Sequence, residues 1–223
     1  MRKWGIVVSL FYAVVVVVLL VPATMLLSWS DPHSQAFYSD LRDLYKEWIV
    51  WVPIAILLSG QTILLFVSVD TSQKRARPRS RTLISVIVSS MLFALLTFAA
   101  LSSLGAAAYK DKFLDLYWNT ELKVIACWGV LWLLWGIVFY LYFRNSTAVT
   151  ARAVSWLLKG SILELLIAVP CHVIVRRRQD CSAPVATSFG IATGIAIMLL
   201  SFGPSVLLLY KKRIDSYSTR RSS

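Results

Sequence analysis

Apolar runs close to or longer than the roughly 20 residues that a helix needs to cross a bilayer recur along the whole chain, at about 5–27, 48–69, 82–108, 124–143, 153–175 and 185–210. Lipid offers no hydrogen bonds, so a run of this length must satisfy its amides and carbonyls within itself, and helices do so. The expected fold is therefore all-α: a polytopic transmembrane helix bundle of about six spans. Composition agrees, because 58% of the residues are hydrophobic and 15% charged, with a mean hydropathy of +0.69. Soluble domains carry about 25% charged residues. One membrane domain, 1–210, and a basic tail, 211–223, account for the length.

The formal charge of +12 would raise nucleic acid as a partner in a soluble protein. Here the cations sit between apolar runs, in clusters at 74–81, Arg176–Arg178 and Lys211–Arg213, as juxtamembrane loops do. No binding motif accompanies them, so the expected partners are membrane lipids and other membrane subunits, not nucleic acid. Arg2 and Lys3, the 74–81 loop, Arg144, Arg152 and the tail all fall on one side of a six-span arrangement. The positive-inside bias makes that side, and both termini, cytoplasmic. The first run resembles the start of a signal peptide but is too long and lacks an A-x-A site, so an uncleaved span is expected. The stretch 28–47 carries Asp31, Asp40, Asp43 and Glu47 against Arg42 and Lys46 and belongs outside. Phe37, Leu41, Leu44, Tyr45 and Trp48 there recur at helical spacing, which fits an interfacial amphipathic helix or a plain loop with incidental periodicity.

One cluster breaks the charge pattern. Arg176, Arg177 and Arg178, with Asp180, fall at the outer face. Either the fifth run is re-entrant, which moves the violation to the tail, or something anionic neutralises the triplet; the second is the expectation. The same run holds the deeply placed acid Glu164. A charge at the bilayer centre costs at least about 2.5–3.5 kcal/mol, so this side chain should face protein, water or a partner charge, or be protonated. Pro170, between Glu164 and His172, should kink or break the helix.

Glu164, His172, Arg176, Arg177, Arg178, Cys171 and Cys181 thus make a candidate polar site. They do not make a metal site. Glu164 and Cys171 share a helix face but lie roughly 10 Å apart, and no ligand pair stands at i, i+3 or i+4. Two histidines, His33 in the outer loop and His172, offer no convergent haem ligation. Cys171 and Cys181 could pair if they meet an oxidising compartment, and Cys127 reads as packing. In the fourth run, Trp128, Trp132 and Trp135 form an aromatic face, suited to a flat ligand such as a quinone or to packing. Small and polar positions in the third run, including Ser89, Ser90, Thr97 and Ser103, suit close helix contact, as do Gly190 and Gly194 in the sixth. No cofactor is specified.

The stretch from Gly160 to Pro170, followed by His172, the arginine triplet and Cys181, resembles a pattern in an uncharacterised family of small bacterial multi-span membrane proteins. The resemblance covers the last third of the chain and implies a bacterial inner membrane, with no residue roles to carry over. Three functions compete: a binding or accessory subunit with an anion or lipid-headgroup site on the fifth and sixth helices, an enzyme acting on a lipid or quinone through Glu164 and His172, and a small oligomeric transporter or channel. The first accounts for the triplet, the glycine spacing and the lack of a catalytic motif.

Overall fold

The computed structural model describes residues 48–69, 79–109, 121–144, 149–178 and 183–201, together with 10, 11, 14, 39, 42, 43 and 46. All of them except Arg144 and Arg178 are helical. Five long helices result: α1 (Trp48–Val69), α2 (Arg79–Tyr109), α3 (Glu121–Phe143), α4 (Val149–Arg177) and α5 (Ala183–Ser201). The described part is thus all-helical, and α2 to α5 supply four helices long and apolar enough to cross a membrane. Helix α1 is apolar as well and carries no charged residue. Most of the expected first span, His33, Asp180, Cys181 and the basic tail lie outside the described residues. So does most of the 28–47 stretch, where Lys46 bonds Asp43 at 2.8 Å and lowers its carboxyl below the usual range, mainly through that hydrogen bond.

Side-chain size sets how these helices approach. A methyl group on Gly160 of α4 would come within 2.7 Å of the Phe93 ring on α2, and one on Gly60 of α1 within 3.2 Å of Leu92. Both glycines are therefore the hollows into which α2 fits its large side chains. Phe93 is the hub, with ring centroids 4.3 Å from Trp135, 5.4 Å from Phe139 and 6.5 Å from Trp156. Around it lies the larger apolar cluster, which includes Leu57, Leu92, Phe139, Leu157 and Ile197. A smaller one, of Ala106, Val175, Ala183 and Ala186, closes the far end.

Contacts advance together along α2 and α4, from Phe93 beside Trp156 to Ala107 beside Arg178, so these two helices run in the same sense. Helix α5 returns against α4, since Gly194 and Gly190 meet Glu164 whereas the earlier Thr187 meets the later His172. Outward faces are apolar: Leu133 of α3 is 69% exposed, and Leu163 and Leu166 of α4 are exposed as well. A water-soluble bundle would bury such side chains, and a lipid-facing one has no reason to.

The aromatic face of α3 turns towards α2. Trp135 Nε1 donates to Thr97 Oγ1 at 2.9 Å, Trp132 Nε1 donates to the Ile87 carbonyl at 3.3 Å, and Trp128 stacks on Trp132 with centroids 5.6 Å apart. Trp128 and Trp135 also pack on the main cluster, so packing occupies much of the face that could have stacked a flat ligand. Trp135→Phe keeps most of the ring contact and loses the indole hydrogen bond, while Thr97 still donates to the Phe93 carbonyl. The expected cost is about 0.5–1 kcal/mol, read from unfolding in mixed micelles.

Candidate functional site in the α2–α4–α5 core

Buried positions of α4 include Val154, Leu157, Ser161, Glu164, Ala168, Cys171 and Val175, alternating in steps of three and four. That is the spacing of a helix packed along one seam, close to 3.5 residues per contact. Glu164 occupies the seam itself. Its residue is 2% exposed, and neither carboxyl oxygen has a hydrogen-bond partner.

Two glycines of α5 make the room for it. A methyl on Gly194 would overlap Oε2 of Glu164, and one on Gly190 would lie 3.0 Å from Oε1. The small-residue spacing predicted as packing is thus the wall of the carboxyl's compartment. Ser103 of α2 completes it, because Ser103 Oγ also falls within 3.0 Å of that same Gly190 methyl point. The serine's one hydroxyl hydrogen is already given to the Ala99 carbonyl at 2.9 Å. The serine makes no hydrogen bond to the Glu164 carboxyl.

His172 lies further along α4, 8% exposed, with Nδ1 2.9 Å from Thr187 Oγ1. Thr187 in turn donates to the Pro184 carbonyl at 3.1 Å. Which of His172 and Thr187 donates to the other follows from the imidazole tautomer. Glu164 and His172 both face α5, yet eight residues of helix, about 12 Å, separate them and no hydrogen bond joins them.

The arginines sit at the end of α4. Arg176 and Arg177 form its last turn, where cations complement the helix dipole. Arg178 Nη1 donates to the Ala107 carbonyl of α2 at 2.6 Å. Ala107 is in the last turn of α2, where carbonyls lack an intrahelical donor, so the guanidinium is a C-terminal cap for a second helix. This contact sets the triplet at the opposite end of α2 from Arg79, where the 74–81 segment enters. Helix α4 is one helix from Val149 to Arg177 with Pro170 inside it.

The structure therefore divides the candidate residues into three groups: Glu164 with Ser103, Gly190 and Gly194; His172 with Thr187; and the arginines at the helix end. About 18 Å of helix separates Glu164 from Arg176. Cys171 is a buried free thiol in the seam. Ser103 and Thr187 were not legible as site residues, since each matters only through a contact with another helix. Among the described residues no three His, Cys, Asp or Glu side chains come together as a metal set. No protein-family model, curated protein or solved structure matches the chain.

Proposed function

We propose that the chain is a small integral membrane binding protein, an accessory subunit of a larger membrane complex, whose α4–α5 hairpin holds an anionic group at Arg176–Arg178. In this reading the chain spans a bacterial inner membrane six times with cytoplasmic termini, and α4 bends at Pro170, where the Leu166 carbonyl loses its usual donor. The observation that carries it is the exposure of Arg177 and Arg178 at a helix end with no carboxylate beside either among the described residues. Two fixed features support it further. Arg178 is held in place by Ala107, which spares part of the ordering cost of binding, and guanidinium donors match the oxygens of a phosphate. The exposed aliphatic faces of α3 and α4 fit lipid chains or a partner's helix.

A phosphate-bearing lipid headgroup is the occupant that fits this chemistry. Native mass spectrometry after gentle extraction from vesicles tests it: anionic phospholipid should stay bound in preference to zwitterionic lipid. Arg177→Gln should weaken that retention about fivefold, from roughly 1 kcal/mol per basic residue near a membrane surface. Retention that ignores both headgroup charge and Arg177, with no co-purifying subunit, sinks the reading. A co-purifying subunit without bound lipid would instead make a partner's carboxylate the anion.

A further inference from the structure

The carboxyl of Glu164 is independent of the arginine cluster and has no role in the reading above. Among the described residues nothing charged faces it. Helix α5 has no ionisable residue at all, and α1 has none. Helix α2 has none between its first turn, with Arg79 and Arg81, and Tyr109 at its end. On α4 itself, Lys159 is exposed, and His172 and Arg176 lie two and more turns further along. The polar atom that α2 brings near, Ser103 Oγ, donates to the Ala99 carbonyl and makes no hydrogen bond to the carboxyl.

An ionised carboxylate seeks donors or a cation, and what closes on this one is two glycines and the side chains of Leu165 and Ala168, with no hydrogen bond to either oxygen. A carboxylic acid carries no charge and costs far less to enclose there. A metal ion would need several further oxygens that these walls do not supply. We propose that Glu164 is a proton-binding site: in the packed bundle it holds a proton, and loss of that proton requires α5 to part from α4. The glycines give the coupling its physical basis. With no side chain between Glu164 and the α5 backbone, a charge formed there has no space to gather water while the helices stay in contact.

Infrared spectroscopy of the protein in lipid reads this directly, because a protonated carboxyl has a C=O stretch well separated from the carboxylate bands. At pH 7, where exposed acids are ionised, the protein should retain a protonated-carboxyl band. Glu164→Gln should abolish it. Raising the pH until the band disappears should speed amide exchange in the α4–α5 pair specifically. Should Glu164→Gln fail to fold, Glu164→Asp and the pH series on the unaltered protein give the same readout. A pH 7 spectrum with no protonated-carboxyl band, or carboxylate bands that shift when sodium replaces potassium, overturns the proposal; the latter would make the occupant a cation.

Discussion

Gly194→Ala should cost about 2–3 kcal/mol of stability, near the upper end for overpacking a close contact, although alanine is the better helix former. The added methyl overlaps Glu164 Oε2 and comes within 2.8 Å of Leu165. Neither neighbour has an easy retreat: the carboxyl is 2% exposed and Leu165 is part of the same contact. The change therefore pushes α5 away from α4, with the His172–Thr187 hydrogen bond lost in consequence. In a Glu164→Ala background the overlap with the carboxyl is gone, and the cost of Gly194→Ala should fall by at least about 1 kcal/mol, the coupling expected of residues in contact. Gly129→Ala is the control. A methyl there meets nothing within 4 Å, so the propensity gain of up to about 1 kcal/mol should stand alone and stabilise α3. Unfolding in mixed micelles followed by helix content measures all four proteins. Equal effects at Gly194 and Gly129 would show that the α4–α5 approach is wrong.

That contact also marks how far the sequence could be read. Span lengths came directly from hydropathy: the run expected at 48–69 is α1, and those expected at 82–108, 124–143 and 153–175 are α2, α3 and α4 extended by up to four residues at an end. Glu164 stood out as an acid in an apolar run, and Gly190 with Gly194 as a close-packing surface. Their meeting was not legible, because periodicity fixes the faces of each helix but not which face turns to which neighbour. One signal was available. Glu164 falls in a three-four alternation with Ser161, Ala168 and Cys171, which places it on the seam of α4 and not on its lipid side. Proximity in sequence misled in the other direction. Glu164, His172 and the arginines lie within 15 residues and read as one site, yet a helix carries them apart at about 1.5 Å per residue. The arginine triplet also has a partner that charge counting ignores. Arg178 bonds a backbone carbonyl, and helix ends are rich in unpaired carbonyls whatever the loop charges are.

Converting all three arginines to glutamine should weaken anionic lipid retention about a hundredfold, since three charges at roughly 1 kcal/mol each amount to about two powers of ten. Zwitterionic lipid should be retained as before, and the unaltered protein should lose its preference as salt is raised. Insertion into the membrane is a separate readout with the opposite expectation. If the triplet lies on the outer side, its removal takes away a charge cluster that opposes the positive-inside bias, so insertion should be unchanged or improved. Were the triplet a cytoplasmic anchor, the same variant would insert less well or invert the α4–α5 hairpin. Cysteine accessibility from each side of the membrane distinguishes the two. The cap sets a small background cost: loss of the Arg178–Ala107 bond removes about 1 kcal/mol from the end of α2, which Arg178→Gln alone should reproduce without the hundredfold change in lipid retention. A triple variant that keeps its lipid preference while losing only this increment would reduce the cluster to a helix cap.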